Sequence, residues 1–315
     1  MNALVTGCAG FIGSHLAESL LEDGIHVVGV DCFNANYGRK EKLRNLERAR
    51  ELGDFEFVPI DLSRGDLSDV VADCDVIFHL AAEPGVRDSW GKRFESYLRN
   101  NILATQSLLE ALRPWPEKRL VYASSSSIYG DAECLPTPED VIPEPISPYG
   151  MTKLAGEHLC ELYRANYGME SVRLRYFTVY GPRQRPDMAF HRFCQAAIAG
   201  APIEVFGDGT QTRDFTFVSD IVAATRAASA ADDVSGEVFN VGGGSRIAVN
   251  HALAQIGELA GRELDVRYLG HRSGDVNDTG ADTTRARAKL GFVPMVSFED
   301  GLRAQFDWVT ATAQT

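Results

Sequence analysis

The first 31 residues constrain the fold of this chain more than any other stretch. Asn2–Thr6 is a short apolar run, Gly7-Cys8-Ala9-Gly10-Phe11-Ile12-Gly13 follows it, and SHLAESLLEDG then sets apolar residues at helical spacing. A second apolar run, Ile25–Val30, ends in Asp31. The order predicts a strand, a glycine turn, a helix and a second strand, the beginning of a parallel sheet. Glycines let the backbone turn tightly and approach a ligand closely, while the free N–H groups of the helix start favour an anion. A carboxylate at the end of the second strand suits an adenosine ribose and repels a 2′-phosphate. The stretch therefore predicts a dinucleotide site, selective for NAD over NADP, built on Gly7, Gly10, Phe11, Ile12, Gly13 and Asp31.

The alternation continues. Strands are expected at 2–6, 25–30, 55–60, 75–80, 119–124, 171–177 and 237–241, with helices near 11–23, 37–52, 94–112, 147–168 and 218–230. Such an order predicts an α/β fold, a doubly wound parallel sheet of the Rossmann type with about seven strands. FEFVPI, DVIFHL and SVRLRYF are apolar enough for central strands buried on both faces. Beyond residue 178 the pattern loosens at Pro182, Pro186 and Pro202 into loops and short helices. A smaller, mostly α substrate-binding C-terminal domain is expected there, made of about 179–212 plus 248–315. Residues 1–178 plus about 213–247 would then form the NAD-binding domain. TATAQT, at the C-terminus, reads as a frayed tail.

A length of 315 residues suits one large unit with a smaller partner. The net charge of −13 argues against nucleic acid and anionic membranes as partners. Six dispersed cysteines, at 8, 32, 74, 134, 160 and 194, lack CxxC spacing and read as reduced thiols. His15, His79 and His191 have no metal-like spacing and read as packing or capping residues, so no metal is expected. The chain enters its first strand directly and has no run long enough for a membrane span, and a cytoplasmic location is expected.

Ligands bind at the carboxyl ends of the strands in such a sheet, and the polar motifs fall there. Asp61-Leu62 follows the third strand, where it would meet the adenine. Leu80, Ala81 and Ala82 follow His79, small enough to let a dinucleotide lie close. Four serines, Ser124 to Ser127, end the fifth strand, and Phe177-Thr178 the sixth. Tyr149 and Lys153 share one face of the helix that follows. A phenol of pKa near ~10 is a poor base until a fixed cation favours the phenolate. Alone, the pair also fits an exposed Tyr/Lys ladder; with a dinucleotide site upstream it reads as a proton-transfer pair.

Taken together, GxxGxxG at 7–13, Asp31, HLAA at 79–82, the serine run before Ile128-Tyr129-Gly130 and YxxxK at 149–153 resemble the extended short-chain dehydrogenase/reductases. The resemblance extends through RDFTFVSD (213–220) and an RxGD pattern at Arg272, Gly274 and Asp275, and is strongest to nucleotide-sugar 4-epimerases, dehydratases and decarboxylases. It implies that Ser125, four residues before Tyr129, is the catalytic hydroxyl. Lys153 would contact the nicotinamide ribose and lower the Tyr149 pKa, and Tyr149 would take the proton of the sugar 4-OH as hydride passes to tightly held NAD. Asn34, Asn100 and Phe177 are assigned to the cofactor by the same resemblance. Arg213 and Arg272 are assigned to the diphosphate, with Arg192 and Arg87 as further contacts, and Val205 and Phe206 to the uracil. A homodimer on the helices near 94–112 and 147–168 is implied too.

Dehydratases of this kind carry an Asp-Glu pair after the catalytic hydroxyl, and decarboxylases a glutamate at its second position. Here Ser126 and Ser127 stand there, too weak as acid and base for dehydration, and Ser127 replaces the glutamate of the decarboxylases. Thr178 through Met188, TVYGPRQRPDM, resembles the corresponding string of UDP-glucuronate 4-epimerases. Ser126, Ser127, Thr178 and Arg185 would serve a substrate carboxylate. The expectation is redox-neutral epimerisation of UDP-glucuronate to UDP-galacturonate. The alternatives are a UDP-glucuronate decarboxylase, a 4-epimerase of a neutral UDP-hexose, and a non-catalytic dinucleotide-binding regulator.

Overall fold

Seven strands form one parallel sheet in the computed structural model, which describes residues 1–34, 37–270, 274 and 276–313. They are β1 (Asn2–Thr6), β2 (His26–Val30), β3 (Phe55–Val58), β4 (Val76–His79), β5 (Arg119–Ser125), β6 (Ser171–Tyr176) and the edge strand Val238–Val241. Across the sheet the order is edge strand, β6, β5, β4, β1, β2, β3. The direction of winding reverses between β1 and β4, and a crevice opens at such a switch point. Alternate residues feed two apolar layers: Ala3 and Val5 of β1 face one, with Phe78 and Val121, and Leu4 faces the other, with Ile77 and Leu120. Burial on both faces is why these strands read as continuous apolar runs.

The helix Pro148–Tyr167 lies against β5. Ser147 caps it by accepting from the Gly150 N–H at 3.1 Å, Pro148 opens it, and Gly168 ends it at φ 71°. Gly156 brings it close, since a Cβ there would stand 2.0 Å from the Tyr122 hydroxyl. The stretch expected as one helix near 94–112 has a π-helical turn at Leu98–Leu103 between α-helical Phe94–Tyr97 and Ala104–Leu112. The stretch near 37–52 is two helices, Arg39–Asn45 and Glu47–Leu52, joined at buried Leu46.

A third apolar cluster, including Tyr180, Phe190, Phe215, Leu253, Phe298 and Leu302, sits beyond the sheet. Helices Ala189–Ala199, Val249–Ala260 and Phe298–Ala313 enclose it. They are longer than the expected loops and short helices, because Pro182, Pro186 and Pro202 all fall between elements. The expected frayed tail is helical to Ala313, anchored by Phe306 and Val309 in the same cluster. Three two-stranded pairs complete this half: Val179–Tyr180 with Thr216–Phe217, Thr212–Asp214 with Arg246–Ala248, and Ile203–Phe206 with Val266–Leu269. Among the described residues no helix is long and apolar enough to cross a membrane.

Candidate active site

One cleft of about 1070 Å³ runs along the carboxyl ends of the strands and between the two apolar halves. The glycine turn forms its floor at the switch point. Gly7 has φ +72°, and a Cβ on it would stand 2.8 Å from the Ala81 nitrogen; a Cβ on Gly13 would stand 2.2 Å from the Gly7 carbonyl oxygen. The helix Phe11–Glu22 begins at Gly10 with no side-chain cap, so its first N–H groups remain available to an anion. Asp31 is buried, accepts from the Phe33 N–H at 2.7 Å, and lies 3.7 Å from the Lys42 ammonium. Phe11, Ile12, Asp61, Leu62, Leu80, Ala82 and Phe177 line the same cleft. Asn34 and Asn100 line it as well, and each donates to the buried Glu83 carboxylate at 3.2 Å. A glycine cradle with uncapped N–H groups beside a buried carboxylate fits a dinucleotide.

Midway along the cleft, Ser125 ends β5 and Tyr149 is the second residue of the long helix. Gly150 allows that approach, because a Cβ there would stand 2.3 Å from the Ser127 carbonyl oxygen. Ser125 Oγ accepts from the Ser127 N–H at 3.2 Å and also hydrogen-bonds the Tyr149 phenol. The phenol departs from expectation. Burial pushes its pKa up, and the Ser125 hydrogen bond and the Arg185 charge oppose that rise; Lys153 is not the group that lowers it. The reason is the direction of the ammonium, which sits over the Tyr122 ring at 4.7 Å from its centroid. Burial pulls Lys153 itself down to about 8, with Cys160 and Glu157 opposing.

Ser126, Ser127, Thr178 and Arg185 line the next part of the cleft. Arg185 already has a partner, since its Nε and Nη2 donate to Asp187 at 3.0 and 2.7 Å. Farther out, Arg192, Val205, Phe206 and Arg213 line the cleft, and the Arg87 guanidinium sits 4.4 Å from the centre of the Phe206 ring. Arg213 donates to the Val276 and Asn277 carbonyls at 2.6 and 2.8 Å. Arg272 and Asp275 lie outside the described residues.

His15, His79 and His191 each have protein hydrogen-bond partners: the Pro182 carbonyl, the Thr6 and Thr105 hydroxyls, and the Gln184 carbonyl. Sequence reasoning passed over Lys42, Glu83, Glu157 and Asp187. Glu157 repeats the four-residue step from Tyr149 to Lys153, a signal present in the sequence. The partners of the other three come from distant elements or a loop turn.

The sequence pattern of the NAD dependent epimerase/dehydratase family matches residues 3–242. Over 310 residues the chain is 38% identical to UDP-glucuronate 4-epimerase of Thermodesulfobacterium geofontis, spanning 97% of this chain and 95% of that one. It is also 38% identical over 310 residues to UDP-glucose 4-epimerase of Mycolicibacterium smegmatis, spanning 96% of each. The crystal structure of UDP-glucuronic acid 4-epimerase from Bacillus cereus, in complex with UDP-glucuronic acid and NAD, matches with a TM-score of 0.97 and 43% identity. That match covers 99% of this chain and 100% of the other.

Proposed function

The chain belongs to the NAD-dependent epimerase/dehydratase family, and from that premise we propose that it inverts C4 of UDP-glucuronate with tightly held NAD, giving UDP-galacturonate. The observation that carries this reading is the side-chain set where β5 and β6 end. Tyr149 and Ser125 stand together there, followed by three hydroxyls (Ser126, Ser127, Thr178) and the Arg185 guanidinium, with no carboxylate at 126 or 127.

NAD+, held by the glycine turn and Asp31, would supply a two-electron acceptor for the C4 hydride. Tyr149 Oη receives the 4-OH proton, and Ser125 Oγ holds the same oxygen by a hydrogen bond. The Lys153 ammonium serves the cofactor ribose, while the Ser125 hydrogen bond and the Arg185 charge favour the phenolate. After the 4-keto sugar rotates, Tyr149 gives the proton back to O4, so the reaction is redox-neutral. Ser126 and Ser127 cannot protonate a leaving hydroxyl at neutral pH, which disfavours loss of water. They and Thr178 donate to the C5 carboxylate, with Arg185 behind them. Arg213, Arg192, Arg87 and Arg272 serve the diphosphate, and Val205 and Phe206 the uracil. Gly7, Gly10, Gly13, Asp31, Asn34, Asp61, Leu80 and Asn100 hold the dinucleotide. In this reading residues 1–178 plus about 213–247 form the NAD-binding domain, which lends Arg87, Ser126, Ser127, Thr178 and Arg213 to the substrate, and the remainder forms the sugar-nucleotide-binding domain.

The Arg185–Asp187 pair favours a second reading, since an arginine already neutralised leaves the site compatible with a neutral UDP-hexose. One experiment separates the readings. Purified protein is incubated with UDP-glucuronate, and separately with UDP-glucose, without added NAD, and the sugars are followed by NMR. UDP-galacturonate supports the main reading; UDP-galactose alone supports the second. A pentose with CO2 release makes the protein a decarboxylase, and no conversion even with excess NAD makes it a non-catalytic binder.

The protein also pairs with a second copy in this reading. Leu98 and Leu103 on one helical segment and Met151, Leu162 and Tyr167 on the long helix are exposed apolar residues that a helix–helix interface would cover. All six cysteines are free, which suits the reducing cytoplasm. Sedimentation of the protein and of a Leu162→Glu variant tests the pairing; a monomer in both overturns it.

A further inference from the structure

Tyr149, Lys153 and Glu157 lie at i, i+4 and i+8 on the long helix. The first two line the cleft, whereas Glu157 is buried beneath it. Its carboxylate accepts from Ser124 Oγ on β5, and from Arg175 Nε and Nη2 on β6 at 3.0 and 2.9 Å. Ser124 and Arg175 are direct neighbours across those strands. Arg175 also donates to Tyr129 Oη at 2.6 Å, and Tyr129 donates to Asn240 on the edge strand at 2.7 Å. One carboxylate thus ties the helix to two strands and, through Arg175, to a third. Apolar packing alone would hold the helix near β5 without fixing its rotation or slide; these bonds are directional. Ser124 turns its hydroxyl to Glu157, and Ser125, the next residue of β5, takes its direction from the same stretch of backbone. What anchors Ser124 therefore aims Ser125.

The charge matters as well as the geometry. Around the Lys153 ammonium stand Cys160 and Glu157 of its own helix, His79 of β4 and Tyr122 of β5, and Tyr97 packs edge-on to Tyr149 at 6.3 Å between ring centres. Burial keeps His79 neutral. Glu157 and Cys160 favour the charged ammonium, and of the two Glu157 is the carboxylate.

We propose that Glu157 is a positioning residue of the proton-transfer set: it locks Tyr149 against Ser125 and keeps Lys153 protonated. This rests on the reading of Tyr149, Lys153 and Ser125 as the catalytic group. The test is Glu157→Gln, which keeps the shape and removes the charge, assayed with UDP-glucuronate from pH 6 to 9 alongside NAD retention. The alkaline limb of kcat moves to lower pH, each unit of movement costing about tenfold in kcat above it, while KM changes little and NAD stays bound. An active variant with an unmoved limb overturns the charge role. If that variant does not fold, Glu157→Gln with Arg175→Met removes both charges together and is read on the same limb. Ser124→Ala tests the geometric link: kcat falls with the limb in place, and an unchanged kcat overturns the positioning role. An unmodified protein that converts no UDP-sugar sinks the underlying reading instead, so the two failures are distinct.

Discussion

Arg185 and Asp187, two residues apart on one loop, form a bidentate pair with contacts of 3.0 and 2.7 Å. The same guanidinium opposes the burial-driven rise of the Tyr149 pKa, so it lies within electrostatic reach of the proposed reacting centre. A substrate carboxylate entering this part of the cleft would compete with Asp187 or bind the guanidinium edge that Asp187 leaves free. Charge-assisted hydrogen bonds contribute about 1.5–3 kcal/mol, so Arg185→Leu is expected to weaken UDP-glucuronate binding about 10- to 100-fold. Calorimetric titration checks it, and unchanged affinity removes the uronate assignment. Asp187→Asn is expected to do the reverse, favouring UDP-glucuronate over UDP-glucose.

Tyr149→Phe removes the proposed proton acceptor and leaves the glycine turn, Asp31 and Lys153 in place. The loss of general acid–base catalysis is expected to lower kcat by about 10²–10⁴-fold. Absorbance of the purified variant reports whether the dinucleotide is still bound. Retained activity would transfer the proton step to another group and disqualify the assigned set.

The sheet was legible because each strand carries its own signal. Ile25–Val30 is a short, mostly apolar run bounded by Gly24 and Asp31, Ser171–Tyr176 alternates Val172, Leu174 and Tyr176 with two arginines, and the glycines between β1 and its helix favour one connection. The helix Val249–Ala260 was not read, although Ala252, Leu253 and Ile256 give it a buried stripe; its flanking glycines make the stretch look like a loop. The π-helical turn at Leu98–Leu103 depends on Asn101, which bonds both the backbone of Glu83 and the Thr152 hydroxyl, contacts that no local pattern encodes. Residue types at the site were readable, but directions were not. Lys153 has the spacing to face Tyr149 and instead lies over Tyr122, because the ring of the adjacent strand offers the buried cation a partner. Arg185 was read as waiting for a ligand because its partner is a turn away rather than a helical step away.

Gly13 tests how strictly the floor of the cleft is built. A Cβ at this position meets the Gly7 carbonyl oxygen at 2.2 Å, a backbone atom that cannot rotate aside. Overpacking of this kind costs about 1–3 kcal/mol, and here the strain falls on the dinucleotide turn. Gly13→Ala is expected to lower the melting temperature and to purify without bound NAD. Gly270→Ala is the control, since Gly270 has open space at its Cβ position, no left-handed backbone and no part in the cleft lining. If Gly13→Ala retains its dinucleotide as the unmodified protein does, the turn is not the pyrophosphate site.

His79 gives the fold a dependence on pH. The imidazole is buried, bridged between the Thr6 and Thr105 hydroxyls at 2.8 and 2.9 Å, and burial with the Lys153 charge pulls its pKa from 6.5 to about 3. His15, buried near Arg183, is pulled to about 4. Below pH 6.5 the unfolded chain binds protons at both positions that the folded chain refuses. Their stabilising effect is therefore full above 6.5 and is lost as pH falls toward 4, at about 1.4 kcal/mol per pH unit for each group. Asp214 works the other way. Burial raises its carboxyl from 3.8 to about 6, so the folded chain takes up a proton first and gains stability as pH falls through that window. Two histidines against one aspartate leave a net loss of stability on acidification between about 6 and 4 from these three groups. His79→Gln removes one titrating group, so the slope of unfolding free energy against pH should fall by about 1.4 kcal/mol per unit between pH 4.5 and 6. Denaturant unfolding at a series of pH values reads that slope independently of any cavity the substitution leaves. Parallel lines for the two proteins would mean that His79 titrates in the folded state as it does in water.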